Sequence, residues 1–254
     1  YDINGNVYFE IKKFKNYGNL SHFNERQMLL LSKERGGDPN DPSKKHPLDF
    51  LLWQKSKKDE PFWESPWGKG RPGWHIECSA MINEYLGDQI DIHGGGRDLV
   101  FPHHESEIAQ SEIFTDKNPF VKYWMHTAML LHLGEKMAKS LGNLVMIKSL
   151  LKKYSANEIR WNLLSHHYRI PWEFDENGLL ESKNAVALIN KVLGNKSSKI
   201  TKNKSKDNFL EFIGLMDDDI NTAETLKYLI NLAKQEKTES ETLRYYLLTL
   251  GFIL

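Results

Sequence analysis

Cys78, His103 and Glu107 offer the most chemistry in this 254-residue chain. Thiolate, imidazole and carboxylate are all zinc ligands. His103 and Glu107 lie four apart in a segment that opens at Pro102, a good first-turn residue, so on a helix both project from one face. Three ligands leave a tetrahedral ion one short. Spacing alone leaves the matter open, because a His–Glu pair four apart is also a common surface pair on helices. A lone cysteine also serves often as a small buried hydrophobe. A second group is cationic: Glu135-Lys136-Met137-Ala138-Lys139-Ser140-Leu141-Gly142-Asn143 follows Gly134. Two lysines three apart among small residues suit a polyphosphate, whose developing charge is stabilised by placed cations. A solvated turn would carry the same pair, and no Walker-type glycine-rich loop accompanies it.

These residues need elements to position them. Asn4-Gly5 predicts a turn leading into a strand through Ile11. Lys33 to His46 is charged and interrupted by Gly36, Gly37, Pro39 and Pro42, as an exposed connection would be. Asp49 to Trp53 reads as a short buried strand. Trp63 to Trp74 holds three Trp, three Gly and two Pro, which excludes a regular element and predicts a loop held by aromatic packing. A helix is expected from about Gly73 to Tyr85, a strand from Gln89 to His93, a glycine run at Gly94–Gly96, a helix opening at Pro102 and a β-rich stretch from Val121 to Leu133. Strand–loop–helix alternation implies an α/β layer. After Ser140 the pattern turns helical. Ser155-x-x-Glu158 is a capping box, Asn195 to Lys206 reads as a solvated linker, and Phe209 to Leu254 carries two amphipathic helical patterns.

Composition narrows the class. Lys and Arg number 34 and Asp and Glu 34, so the formal net charge is zero; this excludes a uniformly basic nucleic-acid coat but leaves local patches open. Hydrophobic residues at 40% with charged residues at 27% describe a globular chain long enough to bury a core. No apolar run approaches a membrane span and no secretory h-region opens the sequence. The single cysteine excludes an internal disulfide and points to a reducing, cytoplasmic compartment.

The motifs together resemble a known family. Gly70-Arg71-Pro72-Gly73-Trp74-His75-Ile76-Glu77-Cys78-Ser79-Ala80-Met81, then Asp91-Ile92-His93-Gly94-Gly95-Gly96, then Phe101-Pro102-His103-His104-Glu105-x-Glu107, then Lys136-Met137-Ala138-Lys139-Ser140 follow the order and spacing of the cysteinyl-tRNA synthetases. The likeness continues through Ser165-His166-His167-Tyr168-Arg169 and Met216-Asp217-Asp218-Asp219-Ile220-Asn221-Thr222.

The resemblance implies a class I aminoacyl-tRNA synthetase that activates cysteine with ATP and Mg2+, then transfers it to tRNA(Cys). It implies zinc on Cys78, His103 and Glu107, cysteine-binding roles for Trp74 and His93, ATP-binding roles for Gly94, Gly95, Lys136 and Lys139, and catalysis by the two lysines of the KMSKS signature. Ala138 departs from that signature, where the family usually has Ser. The expected fold is α/β. Residues 1–60 would be part of an insertion, 61–143 the second half of a Rossmann-type catalytic domain, 144–194 a helical stem-contact region, 195–206 a linker and 207–254 a small all-α DALR-type domain meeting the anticodon arm. The family's HIGH motif and fourth zinc ligand are expected upstream, in an enzyme of which this chain is the later portion, inactive alone. A monomer is favoured. Two other readings share these features: a mycothiol-type cysteine ligase acting on an amino sugar, and a non-catalytic tRNA-binding fragment. His75 and His104 receive no role.

Overall fold

Asn4 and Gly5 take the positive φ values, 56° and 85°, that an Asn-Gly turn requires. They join β1 (Asp2–Ile3) to β2 (Asn6–Phe9). The structure, a computed structural model, describes residues 1–194, 202–235 and 240–254. It divides into two units, Tyr1–Thr127 and Ala128–Leu254, which are described in turn.

In the first unit, helix α1 (Glu25–Glu34) starts on a capping box. The Asn24 side chain accepts from the Gln27 amide and the Gln27 side chain from the Asn24 amide. Strands β3 (Phe50–Lys55) and β4 (Gly70–Pro72) complete an antiparallel sheet of order β1-β2-β3-β4. Ile11, Leu48, Phe50 and Phe101 form its core. Helix α2 (Trp74–Leu86) follows, one residue later at its start than expected. Strand β5 (Ile90–Gly96) absorbs the glycine run, which the sequence reading left outside the strand. Phe101 is extended (φ −136°, ψ 138°), so an irregular turn over Val100–His104, not a regular first turn at Pro102, leads into α3 (Glu105–Thr115). Parallel β6 (Val121–Thr127) pairs with β5, placing Ile90 opposite Val121 and His93 opposite Trp124. The β5–α3–β6 crossover is the expected α/β element, packed around Ile82, Phe120 and Val121.

Glu105 explains how α3 is held. Its carboxylate is fully buried yet accepts hydrogen bonds from the amides of Gly18 (2.7 Å) and Ser21 (2.9 Å). A buried charge is tolerated where such donors satisfy it.

In the second unit, β7 (Leu130–His132) and β8 (Glu135–Lys136) form a hairpin through Leu133 and Gly134, with φ of 58° and 77°. The β-rich stretch expected from Val121 to Leu133 is thus two strands in separate sheets. Helices α4 (Ile147–Leu150) and α5 (Ala156–Leu164) follow, the second on the expected Ser155–Glu158 capping box. A short β9 (Trp172–Glu173) lies parallel to β7, inside a region read as wholly helical. It brings Trp172 and Phe174 into a core with Ile159 and Leu179. Helices α6 (Glu176–Gly194), α7 (Lys202–Asp217), α8 (Thr222–Ala233) and α9 (Ser240–Thr249) complete the unit. The linker expected at 195–206 is helical from Lys202; residues 195–201 lie outside the described residues. Phe212 and Tyr246 stack at 4.3 Å beside the fully buried Leu229 and Leu243. Among the described residues no helix is long and apolar enough to cross a membrane.

The turn between α7 and α8 has two consecutive left-handed non-glycine residues, Asp219 (φ 52°) and Ile220 (φ 55°). Such a conformation costs about 1–2 kcal/mol per residue. A clamp holds it: Asp219 accepts from Tyr168 Oη (2.6 Å), from Arg169 Nη2 (2.9 Å) and from Arg169 Nε. Arg169 first, then Tyr168, hold the Asp219 carboxyl down from 3.8 to about 2. With the folded value depressed, the contribution is complete above about pH 4 and is lost as pH falls through about 2. Asp219→Asn is expected to lower stability at neutral pH and to narrow its gap to wild type as pH falls through that window. Urea melts of both proteins from pH 7 to pH 2 check this. A gap independent of pH would exclude the clamp.

Candidate functional site

Four short pieces of the first unit bring the site together. Strand β4 is followed by Gly73, where a Cβ would lie 2.0 Å from the Leu51 carbonyl oxygen; only glycine permits that approach, and it sets where α2 begins. The first turns of α2 carry Trp74, His75 and Cys78. The irregular turn supplies His103, the start of α3 supplies Glu107, and β5 supplies His93.

Cys78, His103 and Glu107 converge, with their ligand atoms all within 4.8 Å of one another. Glu107 is fully buried. Its Oε2 lies 2.6 Å from His93 Nε2, and its Oε1 lies 2.7 Å from His103 Nε2. Oε1 nevertheless receives no well-directed hydrogen bond among the described residues. His103 Nδ1 lies 2.9 Å from His75 Nδ1, so one nitrogen donates and the other accepts. With His103 as the donor there, its Nε2 lone pair points toward Glu107. Two lone pairs that close call for a positive charge shared by both. A divalent cation can supply it, and the set of one sulfur, one nitrogen and one carboxylate oxygen matches zinc. The residues present therefore fit the metal. His93 also belongs to a second close group with His104 and Glu107.

Burial pushes the Glu107 carboxyl up, but His103 and His93 outweigh it and hold the group down at about 2. Burial raises the Cys78 thiol, and the Glu107 charge raises it further. Burial, then His103, lower His75 to about 4. Burial, reinforced by His93, His126 and His103 against the pull of Glu107, lowers His104 to about 3. Both imidazoles are neutral at neutral pH, the form that orients a neighbouring metal-ligating histidine. Trp74 is half-exposed at 52% and stacks on His103 with ring centres 4.7 Å apart. Its ring thus covers one face of the His103 imidazole.

The lysine loop belongs to the second unit and stands by itself. Lys136 ends β8, and Lys139 opens a 3-10 turn to Leu141; both are exposed. Asn143 closes the loop: its Oδ1 accepts from the Ala138 amide (2.9 Å), and its Nδ2 donates to the Lys136 carbonyl (3.0 Å). Met137 points into the core of Ile159, Phe174 and Leu179. The backbone is anchored while both ammonium groups stay in solvent.

Residues 1–184 match the family model for the tRNA synthetases class I (C) catalytic domain. The chain belongs to that family. A Cysteine--tRNA ligase of Carboxydothermus hydrogenoformans is 46% identical over 248 residues, covering 94% of this chain and 52% of the relative. One of Thermococcus onnurineus is 44% identical over 267 residues, covering 96% and 55%. This class I (C) synthetase chain therefore spans about half the length of the curated relatives it matches. A solved Agrobacterium radiobacter K84 agnB2 LeuRS, in a ternary complex with tRNA and LeuAMS, shares the fold at a TM-score of 0.51 and 12% identity, over 75% of this chain and 32% of that one.

Four residues of this synthetase site carry no role in the sequence reading: His75, His104, Trp124 and His126. His75 orients His103. His104 Nδ1 lies 2.7 Å from His126 Nε2, and Trp124 packs on His93 at 4.9 Å. Gly95 makes room for this group, since a Cβ there would lie 2.9 Å from the His104 ring. A signal existed: five of the ten histidines fall between residues 75 and 126.

Proposed function

We propose that the chain is the zinc-bearing part of a cysteine–tRNA ligase. Cysteine carboxylate attacks the α-phosphate of ATP, pyrophosphate leaves, and the cysteinyl group then passes to the 3′ end of tRNA(Cys) with release of AMP. The observation that carries this reading is the convergence of Cys78, His103 and Glu107 around an unsatisfied carboxylate oxygen. These three residues would hold zinc, with a fourth ligand from outside the chain. Zinc bound there supplies a soft partner for a thiolate, which a serine hydroxyl matches poorly.

This chain's own residues do the rest. His75 and His93 orient His103 and Glu107. Trp74 and His93 bound the cysteine side chain. The backbone at Gly94 and Gly95 lies along the adenylate. Lys136 and Lys139 grip the phosphates of Mg2+-bound ATP, stabilising charge as pyrophosphate departs. In this reading residues 1–60 belong to an insertion, 61–143 to the second Rossmann half and 144–194 to a stem-contact region. Residues 207–254 form a DALR-type domain against the anticodon arm.

The full-length protein, loaded with zinc, is expected to show cysteine-dependent ATP–pyrophosphate exchange and to charge tRNA(Cys). Serine is expected to react far more than about 100-fold less well, because about 100-fold is what an apolar pocket alone achieves against a near-isostere. Exchange indifferent to cysteine, or transfer to an amino sugar in place of tRNA, would overturn the reading.

A further inference from the structure

The loop between β3 and β4 has no role in the reaction above, yet it displays three exposed aromatic rings. Phe62 is 48% exposed, Trp63 60% and Trp67 45%. Rings on a slack loop would fold inward; these are held out. The Trp63 amide donates to the Gly70 carbonyl at 2.7 Å, and the Gly70 amide returns to the Trp63 carbonyl at 3.1 Å. Ser65 Oγ donates to the Gly68 carbonyl (2.7 Å), and the Gly68 amide to the Ser65 carbonyl (2.9 Å). The Trp67 ring rests against Trp53 at 6.4 Å.

The charges around these rings are mixed, with bases in excess: Lys55, Lys57, Lys58, Lys69 and Arg71 against Asp59, Glu60 and Glu64. Arg71 is paired with Glu60 (2.9 Å) and Lys69 with Glu64 (3.5 Å), and Lys69 also sits 4.3 Å over the Phe62 ring. Lys55, Lys57 and Lys58 are exposed, and none of the three is in an ion pair among the described residues. Flat rings preceded in the same loop by unpaired lysines form the kind of surface that single-stranded nucleic acid uses, with bases on rings and phosphates on lysines. Position agrees with charge. From Gly70, four residues of extended chain lead to Trp74 on His103, about 13 Å at the rise of a strand.

We propose that the Phe62–Lys69 loop is a stacking platform for the unpaired 3′ nucleotides of the tRNA, holding the accepting end close to the metal site. This rests on the tRNA reading above.

The test is a binding cycle on the full-length protein, using intact tRNA(Cys) and the same tRNA trimmed of its unpaired 3′ nucleotides. Wild type is expected to bind the trimmed tRNA about ten-fold more weakly, the loss of roughly one stacked base. Trp63→Ala is expected to bind both tRNAs alike, and Trp63→Tyr to keep the ten-fold gap. Phe62→Ser serves as a second ring deletion, in case Trp63→Ala melts early. A gap that survives both deletions, or no gap in wild type, overturns the platform; the first of these would leave the rings to a protein partner. Failure of wild type to bind intact tRNA at all would instead overturn the function proposed above.

Discussion

Glu107→Gln is expected to strip the protein of zinc. The substitution keeps the shape of the side chain and removes only its charge and one acceptor oxygen. The Glu107 side chain is fully buried, so no solvent replaces what is lost. The amide also breaks the neighbouring order. Glu107 accepts from His93 through Oε2 and faces His103 Nε2 through Oε1. An amide nitrogen at either place turns an acceptor into a donor. Partners one step removed from a metal typically contribute 10–100-fold to affinity, so loss of a ligand is expected to cost about 100-fold or more. Metal analysis of the purified full-length protein should fall from about one zinc per chain, the count for a single closed site, to under about a tenth of that. The preference for cysteine over serine should narrow to about 10² or less, the discrimination left to an apolar pocket. Thermal melts separate metal loss from unfolding. Stoichiometric zinc in a folded Glu107→Gln protein would end the assignment of this residue as a ligand.

Lys139→Ala is expected to slow cysteinyl-adenylate formation by about 10²–10³-fold, the usual effect of removing one well-placed stabiliser of transition-state charge. The ammonium group is exposed while its backbone is tied down through Asn143 and Met137, so truncation leaves the loop intact. The loss should appear in kcat with little change in KM for cysteine, because the charge it meets develops during the reaction. Single-turnover adenylation on the full-length enzyme reads this directly, and a rate near wild type would exclude the role. Ala138 lacks the family's hydroxyl at its position but keeps both neighbouring charges. Ala138→Ser is therefore expected to raise the rate only a few-fold, about the contribution of one net hydrogen bond.

Local signals in the sequence were read well where they act over a few residues. Asn4-Gly5 specifies its hairpin because two adjacent residues must tolerate positive φ. Ser155 and Glu158 specify the start of α5 because each satisfies the other's free amide. Asn24 and Gln27 spell a similar box for α1, which the sequence reading passed over. The errors lie where tertiary pairing overrides local preference. Glycines 94 to 96 look like a loop, yet they extend β5 because β6 pairs with them in parallel register. Trp172 and Glu173 form a strand only because β7 lies beside them. The linker expected at 195–206 gives way to α7 at Lys202, because a lysine-rich composition suits a helix as well as a coil.

The candidate site divides along the same line. The ligand types, the four-residue spacing of His103 and Glu107, and the lysine pair were determined by the sequence alone, because residue chemistry and helical periodicity are local properties. That Cys78 meets His103 and Glu107, that His75 and His93 orient them, and that His104 turns to His126 were decided only by the tertiary structure. These residues lie on α2, the irregular turn at Val100–His104, α3, β5 and β6, up to 51 positions apart from His75 to His126. No period or composition in a one-dimensional chain encodes that meeting. It follows from the parallel pairing of β5 with β6, from the fit of α3 against the loop at Gly18–Ser21, and from the close approach at Gly73 that sets α2 in place.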